Sequence, residues 1–598
     1  MSLNILKLKN QKNGIIALGT HLGILQSMMD YDYLCGKDKP DLVGIIASGK
    51  KSLRLFWGDH EKMIPVYSTI QDVPKKTRLE VTLFINLLSG RRAKSLTYEV
   101  LKEFPNLQGG SIFAENMPEK NTLEIIHALG IKQFITGPAS VGLLIPGHLK
   151  LGAIGGTQGD QLVSAMLFTA GNVAVFSSSG GMTNELLNLV TKAGQRVSFA
   201  LSFGGDRFPI LTPKQAFIAA EKDKNTKAIV YFGELGGYDE YEIVEMIKKK
   251  EITKKVIAYI GGSISEMFEK PPQFGHAKAM ASRGEETAQA KTKALLSVGV
   301  KAAASFTEFI EEVKRIKIKK VLDSSPSSQN DKMQQIQNRT PSLFINSVSR
   351  DVGGSVEIIG QEMLSMATKQ SFGHIVGSML LGRQLRSKQT AEFIEFVMKL
   401  LVDHGPYVSG AINTMIAARA GKDLVSSLAS GLLTIGPRFG GAINQAAAHW
   451  LEGVAENVDP HDYVERIAKQ HKRISGIGHR KYRTDAPDPR VSIILQFADK
   501  LKKSPHTDFA KNIEKVTTAK KANLILNVDG AIAAVLLDLL TEKERVSQNE
   551  LHELIDIEFF NALFVLSRSV GFTAHYLDQR RRDEGLFRLS PKEVGFSE

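Results

Sequence analysis

The segment Phe274-Gly275-His276-Ala277 places an imidazole in a glycine-containing loop. This loop follows an apolar, strand-like run over residues 256–262 and precedes a helical pattern over residues 287–299. Glycine lets a phosphate approach the backbone closely, and a neutral imidazole is nucleophilic near pH 7. Taken alone, the pattern is more typical of a hydrogen-bonded loop histidine. Its interpretation therefore depends on the motifs around it.

Glycine-rich loops follow four strand-like runs in the middle of the chain. Because the carboxyl ends of parallel strands meet at one edge of a sheet, these loops are expected to form one concave edge. The first loop, Ser179-Gly180-Gly181, opens a helical pattern, and a helix N-terminus favours an anion. A glycine after one strand often marks only a tight turn, but four together favour a phosphate site. The four runs are residues 172–176, 196–201, 228–232 and 256–260.

Short apolar runs alternate with amphipathic stretches over residues 1–146, which predicts a parallel sheet with helices on both faces. The first turn contains Gly19 and Thr20 but lacks the full GxGxxG pattern, so a dinucleotide is not supported. A looser turn can still hold a diphosphate. Ser48, after the second run, is expected at the same carboxyl edge, where ligands of such sheets bind. The predicted runs are residues 14–18, 41–47, 81–87, 110–114 and 133–136.

The composition changes in the second half of the chain. Residues 323–342 are rich in Ser, Gln and Asn and contain two prolines, which indicates a linker. Beyond it, long helical patterns dominate and strand signals are almost absent. The predicted organisation is two α/β units, a linker and a mostly helical domain, over residues 1–146, 147–322, 323–342 and 343–598 respectively.

Length and composition are those of a globular protein with about three or four domains. Of the 598 residues, 43% are hydrophobic and 23% are charged. The net charge of +13 permits an anionic partner, but only 7% of residues are aromatic and the lysines are dispersed. This pattern disfavours nucleic acid. A polyanionic small molecule such as coenzyme A, or an acidic partner subunit, explains the charge equally well.

The remaining sequence features favour the cytoplasm. The single cysteine, Cys35, excludes an internal disulfide and suits a reducing compartment. No run of twenty apolar residues occurs, and the most apolar stretch, residues 531–540, contains Asp538. The first residues lack a basic region followed by an apolar core, so no secretory signal is expected. We also expect no bound metal.

The motifs described above resemble, in the same order, the α-subunit of succinyl-CoA synthetase and the corresponding part of ATP-citrate lyase. They are Ser177-Ser178-Ser179-Gly180-Gly181-Met182, Gly233-Glu234-Leu235-Gly236-Gly237 and Phe274-Gly275-His276-Ala277. The helical part separates the two families, because a succinyl-CoA synthetase α-subunit ends before such a domain. This part is similar to the citrate-synthase-homology domain of ATP-citrate lyase, in the motifs Asp403-His404-Gly405-Pro406, Ala418-Arg419-Ala420-Gly421-Lys422-Asp423, Gly476-Ile477-Gly478-His479-Arg480 and Asn527-Val528-Asp529-Gly530.

The resemblance implies a fold and a reaction. The fold is a Rossmann-like CoA-binding domain, a flavodoxin-like CoA-ligase domain and a mostly α-helical citrate-synthase-like domain. The reaction converts ATP, citrate and CoA to ADP, phosphate, acetyl-CoA and oxaloacetate. No length of chain remains for the family's ATP-grasp module, so we expect a partner subunit that carries this module with ATP and Mg²⁺. The family further implies a homotetramer through the citrate-synthase-like domain within a hetero-oligomer, without nucleic acid or membrane.

In the ligase half, the resemblance makes His276 the phosphorylated histidine. A carboxylate on one ring nitrogen would fix the tautomer and stabilise the cationic phosphorylated ring, and Glu234 is the candidate for this role. Ser179, Gly180 and Gly181 would bind the phosphate, with a second helix end supplied by the partner. Lys278 stands where the resemblance leads us to expect a small residue. Gly19, Thr20 and Ser48 are candidates for CoA contacts.

In the helical half, cleavage of citryl-CoA needs a base for the tertiary hydroxyl, donors for the developing enolate, and cations for the free carboxylates. The resemblance assigns the first two tasks to His404, His479 and Asp529, with the division between them left open. Arginine binds carboxylates through its planar fork. The residues that match carboxylate-binding arginines are Arg480, Arg490 and Arg568, and the candidates for CoA phosphate contacts are Lys520 and Lys521.

Alternative interpretations remain at this stage. Citrate synthases carry a histidine where this chain has Phe439, which argues against a free-standing citrate synthase. The chain could instead be a stand-alone citryl-CoA lyase with a vestigial ligase half, or a CoA-binding assembly scaffold. The set of His404, His479, Asp529 and three arginines disfavours the scaffold. A reductive carbon-fixing cycle and acetyl-CoA supply for biosynthesis are equally open.

Overall fold

A computed structural model describes residues 2–268, 273, 275–316, 327–436 and 439–597. Phe274, Pro437, Arg438 and the first part of the predicted linker, through residue 326, lie outside the described residues. The chain divides into two compact units, Met1–Leu343 and Phe344–Glu598. Each unit contains one group of the predicted site residues.

The first sheet of the first unit has a Rossmann-like topology. Its strand order is β3-β4-β2-β1-β5-β6-β7, with all pairs parallel except β3 with β4. Without β3, this is the 3-2-1-4-5-6 order of a dinucleotide-binding sheet, whose topological switch lies between β1 and β5. The strands are β1 (Ile15–Leu18), β2 (Leu42–Ile46), β3 (Ser52–Trp57), β4 (His60–Tyr67), β5 (Leu83–Asn86), β6 (Gly109–Ile112) and β7 (Phe134–Thr136).

The hairpin of β3 and β4 extends this sheet beyond the strands that the sequence predicted. In both strands only some residues are buried and others are exposed, which is the mark of an antiparallel edge with one wet face. The helices of this part are α1 (Ile5–Asn10), α2 (Leu22–Leu34), α3 (Lys75–Glu80), α4 (Gly90–Glu103) and α5 (Glu119–Ala128).

The second sheet of the first unit has a flavodoxin-like topology. Its order is β14-β13-β12-β10-β11-β8-β9, and β10 to β14 are parallel in the 2-1-3-4-5 order. The short strands β8 and β9 add an antiparallel edge next to β11. The switch point therefore lies between β10 and β12. The strands are β8 (Leu143–Ile145), β9 (Leu149–Leu151), β10 (Val173–Ser177), β11 (Val197–Ser202), β12 (Ala228–Glu234), β13 (Lys255–Gly261) and β14 (Lys301–Ala303).

Helices cover the faces of the second sheet, and one of them occupies the stretch predicted as a linker. In that helix, α12, Ile336 is buried, and the following Arg339 forms an ion pair with Asp30 on α2 (2.7 Å). The described part of the stretch is thus packed against the first unit, because an apolar side chain and an arginine anchor it despite its polar composition. The helices are α6 (Gly159–Ser164), α7 (Gly180–Lys192), α8 (Pro213–Lys222), α9 (Asp239–Lys248), α10 (Ala288–Leu296), α11 (Phe306–Lys314) and α12 (Ser327–Gln337).

The second unit is mostly helical. After three short antiparallel strands, β15 (Ser349–Asp351), β16 (Val356–Ile358) and β17 (Gln361–Glu362), twelve helices follow in the described residues. They are α13 (Met363–Lys369), α14 (Phe372–Leu381), α15 (Lys388–Leu400), α16 (Ser409–Arg419), α17 (Leu424–Leu432), α18 (Ala442–Ala455), α19 (Pro460–Lys469), α20 (Pro489–Leu495), α21 (Pro505–Lys520), α22 (Val528–Glu542), α23 (Gln548–Asp556) and α24 (Phe559–Arg582).

The core of the second unit is built around α22. Twelve of its fifteen residues are buried, so the helix is apolar on all sides rather than amphipathic. Trp450 of α18 is fully buried against it and donates from its indole nitrogen to the carbonyl of Gly530 (3.1 Å). The α/β first unit and the helical second unit confirm the predicted fold class. None of the helices in the described ranges is both long and apolar enough to cross a bilayer.

A buried carboxylate connects α22 to α21. Asp538 is fully buried and accepts hydrogen bonds from the backbone and side chains of His506 and Thr507, at 2.6 to 3.0 Å. We expect Asp538→Ala to destabilise the second unit by roughly 3–5 kcal/mol, because the donors left behind are buried and unpaired. Urea denaturation followed by tryptophan fluorescence measures this in a Trp57→Phe background, where Trp450 is the sole tryptophan.

The matched control is Asp508→Ala, since Asp508 lies on the same helix α21 but is exposed. We expect its free energy of unfolding to stay within about 0.5 kcal/mol of that of the parent. Equal effects of the two substitutions would contradict the assignment of Asp538 as the buried anchor.

Candidate active sites in the two units

The ring of His276 lies at the carboxyl edge of the second sheet. Its Nδ1 is 2.9 and 3.0 Å from the two carboxylate oxygens of Glu234, the last residue of β12. Its other face packs on Gly205, where a Cβ would come within 2.4 Å of the imidazole Cδ2. The fold therefore brings the predicted pair of His276 and Glu234 together at the switch point of the sheet. Ligands of sheets with this topology bind at the switch point.

The hydrogen bond to Glu234 raises the pKa of His276, and burial of the ring opposes this. The negative charges of Glu115 and Asp206 raise it further. When the ring is neutral, a proton on Nδ1 is donated to Glu234, so Nε2 carries the lone pair. The arrangement holds a nucleophilic nitrogen in place and stabilises a cationic ring once that nitrogen has reacted.

A cleft of about 270 Å³ opens in front of this histidine. The N-terminus of α7 lies in its wall, with Ser179 as the N-cap, whose Oγ accepts from the backbone N–H of Met182 (3.4 Å). A Cβ at Gly181 would meet no other atom within 4 Å, so its backbone faces open space. The predicted phosphate-binding residues, Ser179, Gly180 and Gly181, thus share one cleft with His276. A helix N-terminus with unshielded N–H groups suits an anion.

A buried lysine holds the loop that begins at Glu234. Lys291 on α10 is 1% exposed and donates to the carbonyls of Glu234 (2.8 Å) and Gly236 (2.6 Å). It also pairs with the carboxylate of Glu240 (2.6 Å). A role for Lys291 could not be predicted from the sequence, because a lysine on a helix is usually solvated and only the fold shows that this one is buried. The unexpected Lys278 forms an ion pair with Asp239.

The predicted CoA contacts of the first unit lie at the carboxyl edge of the first sheet. Gly19 follows β1 with φ of +88°, and a Cβ there would come within 2.9 Å of the Leu88 side chain. Thr20 and Ser48 are exposed after the adjacent strands β1 and β2. Helix α2 begins at Leu22, directly beyond this turn. The backbone conformation thus demands glycine at residue 19 and leaves the helix start open to a ligand.

In the second unit, Asp529 lies in the first turn of α22. The N-cap Asn527 accepts from the backbone N–H of Gly530 (3.1 Å), and its amide donates to the carbonyl of Gly478 (3.0 Å). Gly476 and Gly530 are so close that a Cβ on Gly476 would come within 2.7 Å of the Gly530 Cα. Asn527 and the glycines therefore fix the loop before His479 against the start of α22.

The hydrogen bonds of His479 define its tautomer. Its Nδ1 accepts from the backbone N–H groups of Lys481 and Tyr482, both at 3.0 Å. Burial lowers the pKa of His479, and the charges of Arg490 and Lys481 lower it further against the opposing effect of Asp488. The ring is therefore neutral at pH 7 and carries its proton on Nε2. Such a ring is a hydrogen-bond donor for a developing oxyanion.

Two of the three predicted arginines belong to this site. Arg490 forms a bidentate pair with the buried Asp488, at 2.7 and 3.0 Å. Arg568 is 4% exposed and stacks on Phe564 (4.9 Å), and its Nε and Nη1 have no hydrogen-bond partner among the described residues. A buried guanidinium without partners is rare and points to a missing anion. Arg480 is exposed beside His479.

The charged groups of the second unit act on one another. Burial raises the pKa of Asp529 to about 6, and the charges of Arg490 and Arg568 oppose this. Burial, together with the same two arginines, lowers the pKa of His404, which follows α15. The fold therefore gathers His404, Asp529, Arg490 and Arg568 into one cluster, from segments up to 164 positions apart in the sequence. The predicted Lys520 and Lys521 are exposed at the end of α21.

Phe439 contributes to the same region. Its ring contacts Phe564 edge-on (5.7 Å between centroids), and Phe564 in turn supports Arg568. Phe439 therefore packs as a hydrophobic residue and has no acid or base to offer. No expectation for Asp488 came from the sequence, although Asp488-Pro489 is a recognisable helix-start signal next to Arg490. Asn527 was part of a family motif, but its contact with Gly478 was not predicted. Nowhere in the described ranges do three or more His, Cys, Asp or Glu side chains gather to hold a metal ion.

We expect Glu234→Gln to lower the pKa of His276, because glutamine can accept a hydrogen bond but brings no negative charge to stabilise the imidazolium. Diethyl pyrocarbonate acylates a histidine ring only when the ring is neutral. Its reaction with His276, followed against pH by peptide mass spectrometry, should therefore show a midpoint lower by about one unit or more.

Glu285→Gln serves as the control, since Glu285 is exposed and makes no contribution to the pKa of His276. Its midpoint should match that of the wild type. An unshifted midpoint in Glu234→Gln would contradict the assigned role of the carboxylate.

Comparison with known proteins identifies the family of this chain. Residues 238–590 match the family described as citrate synthase, C-terminal domain. The chain is 36% identical to ATP-citrate synthase subunit 1 of Sordaria macrospora over 97% of this chain and 88% of that protein. It is 37% identical to mouse ATP-citrate synthase, of which it covers 54%. A structure of ATP citrate lyase from Methanothrix soehngenii in complex with citrate and coenzyme A is 32% identical, with a TM-score of 0.50 and coverage of 98% of this chain and 97% of that chain. The chain therefore belongs to the ATP-citrate synthase (ATP-citrate lyase) family of enzymes.

Proposed function

We propose that this chain is the subunit of a split ATP-citrate lyase that carries the phosphorylated histidine, a CoA site and the carbon–carbon cleavage site. The observation that carries the proposal is the second unit's buried, unpartnered Arg568 beside Asp529, with a neutral, oriented His479. The arginine suits an anionic substrate, and the histidine suits an enolate oxygen that forms during the reaction. The pair of His276 and Glu234 facing a helix N-terminus supports the ligase half.

The ligase reaction begins with phosphoryl transfer to His276. Nε2 attacks the γ-phosphorus of ATP held by the partner, the bond to the bridging oxygen breaks, and ADP leaves. Glu234 keeps the Nδ1 proton in place and balances the positive charge of the phosphorylated ring. The phosphoryl oxygens lie against Gly180 and Gly181 at the start of α7. Magnesium belongs to the nucleotide on the partner.

Citryl-CoA then forms in two steps. A citrate carboxylate attacks the phosphorus, the P–N bond breaks, and citryl phosphate leaves His276 neutral. The CoA thiolate attacks the acyl carbon, and phosphate departs with the electrons of the C–O bond. The first sheet holds CoA at Gly19, Thr20 and Ser48, because the open N-terminus of α2 suits its diphosphate.

The second unit cleaves citryl-CoA. His404, kept neutral by burial and two arginines, takes the proton of the tertiary hydroxyl, and the carbon–carbon bond breaks to give oxaloacetate. The bonding electrons move into the thioester, whose oxygen receives a hydrogen bond from Nε2 of His479. Asp529, with a pKa near 6, then protonates the enolate carbon and regains a proton through solvent. Arg568, with Arg490 and Arg480, binds the free carboxylates.

The same comparison and the surface of the second unit support the proposed partner and assembly. The chain spans about half of the mouse relative, and another relative is described as a subunit, which supports an ATP-grasp module on a second chain. Large apolar side chains are exposed on and beside α16 and α17, which supports a homotetramer through this unit. They are Ile412, Ile416, Leu424, Val425 and Leu433.

The first test is oxaloacetate release from citryl-CoA by this chain alone, without ATP. We expect Asp529→Asn to lower the rate by roughly a hundredfold or more, because asparagine has no proton to give to the enolate carbon. Asp556→Asn, at an exposed aspartate that ends α23, should match the wild type. Equal rates in the wild type and Asp529→Asn would contradict the assigned lyase site.

The second test examines the ligase half in the presence of the ATP-grasp chain, Mg²⁺ and ATP labelled at the γ-phosphate. We expect acid-labile label on His276 of the wild type and none on His276→Asn. The asparagine side chain is polar and of comparable size but has no nucleophilic nitrogen. Citryl-CoA cleavage measured on the same samples should persist in His276→Asn. Absence of label from the wild type, with cleavage intact, would favour a stand-alone citryl-CoA lyase.

A further inference from the structure

The carboxylate of Asp206 links the loops that follow the two sheets of the first unit. Asp206, in the loop after β11, accepts hydrogen bonds from the backbone N–H groups of Asn116 (3.3 Å) and Met117 (3.1 Å). These two residues belong to the loop after β6 of the other sheet. Asp206 is 9% exposed, so the contact is shielded from water. The carboxyl edge of the Rossmann-like sheet is thereby tied to the ligase sheet.

The residue before Asp206 forms a wall of the His276 cleft. Gly205 lies directly against the imidazole, and its carbonyl accepts from the backbone N–H of Lys278 (3.4 Å). Gly204 adopts φ of +100° so close to Pro138 that a Cβ would meet its carbonyl oxygen at 1.8 Å. The three-residue loop therefore has little freedom to move. Asp206 is one of the groups that hold it to the first sheet, together with the backbone hydrogen bond from Gly137 to Phe203 (3.0 Å) and the ion pair of Arg207 with Glu119 (3.4 Å).

Two cavities meet at this carboxylate. One is the cleft of about 270 Å³ in front of His276, and the other, of about 210 Å³, lies beside it. Both are lined by Asn116, Asp206 and Ala277. Asp206 thus lies between the cleft of the histidine and the loop after β6.

We propose that Asp206 is a positioning residue for the CoA-dependent step: it fixes the loop after β6, and with it the approach of the CoA thiol, relative to the phosphorylated His276. This inference rests on the function proposed above. Phosphoryl transfer to His276 does not require it, because Glu234 orients the ring independently through β12. A displacement of about 1 Å between reacting groups lowers a rate by roughly a hundredfold.

The discriminating substitution is Asp206→Asn. Asparagine has nearly the same size but keeps only one oxygen acceptor, so its NH₂ group faces one of the two backbone N–H donors. The loop after β6 loses one hydrogen bond and meets a repulsive donor pair. The second sheet itself keeps all its strand pairings.

The matched control is Asp223→Asn. Asp223 is also a buried aspartate (7% exposed) that links the two halves of the first unit, through its ion pair with Lys9 of α1 (3.3 Å). It follows α8 and lines neither of the two cavities. A general loosening of the first unit would therefore appear in both variants, whereas loss of positioning would appear in Asp206→Asn only.

The experiment separates the two steps of the ligase reaction. In complex with the ATP-grasp chain, phosphorylated enzyme is prepared with labelled ATP, freed of nucleotide, and mixed with citrate and increasing CoA. We expect Asp206→Asn to accept phosphate from ATP and to pass it to citrate within about twofold of the wild type, but to release inorganic phosphate at least about tenfold more slowly below saturating CoA, with a raised KM for CoA. Unchanged CoA-dependent release of phosphate, or an equal defect in the phosphorylation of His276 and in that release, would overturn the inference.

A second measurement needs neither partner nor phosphate. Amide hydrogen exchange of this chain alone, with and without CoA, reports on the loop at residues 114–118. We expect CoA to protect this loop in the wild type and in Asp223→Asn but not in Asp206→Asn. Protection that survives in Asp206→Asn, or its absence from the wild type, overturns the inference. A wild type that shows protection but takes no phosphate would instead refute the ligase half of the proposed function, and only the hold of Asp206 on this loop would remain supported.

Discussion

The hydrogen bond between Glu234 and Nδ1 of His276 depends on the order of strands in the second sheet. In a parallel sheet, helices leave neighbouring strands to opposite faces where the order reverses, and a crevice opens at that point. Here the reversal lies between β10 and β12. One strand delivers Glu234 as its last residue, and the other delivers the N-terminus of α7. The carboxylate, the histidine and the anion site therefore occupy one cleft because of topology, although the three motifs are distant in the sequence.

The second unit meets a different constraint, since its site holds charges inside a helical core. Arg568 lies almost fully buried on α24, where its guanidinium stacks on Phe564 and interacts with the charges of Asp403 and Asp529 without a hydrogen bond to Nε or Nη1 among the described residues. Arg490 differs, because Asp488 already neutralises it. In the proposed function, an anionic ligand would offset the cost of burying the Arg568 guanidinium. Stability and function are thus opposed at Arg568, as is common for groups that await a charged substrate.

The sequence predicted the parts of the fold that have strong local signals. Long apolar runs predicted β1 and β10 to β13 within a few residues, because buried parallel strands are apolar on both faces. The hairpin of β3 and β4 was missed, since its edge strands mix polar and apolar residues. The three-residue strands β8, β9 and β14 were also missed, although β7, of the same length, was predicted within the run 133–136. The family resemblance located His276, Glu234 and Asp529, whereas Lys291 and Asp206 gain their meaning only from burial and from contacts between distant loops.

The proposed function would bring polyanionic substrates next to carboxylates at both sites, and the two sites reduce the repulsion differently. Glu234 faces Nδ1, away from the anion cleft, so its charge serves the ring rather than opposing the phosphate. Asp529 lies in the first turn of α22 among two arginines, and burial raises its pKa to about 6. An incoming anion raises the pKa further, since it disfavours a second negative charge. In the proposed function, substrate binding would therefore favour the protonated form of Asp529, with the proton taken from solvent.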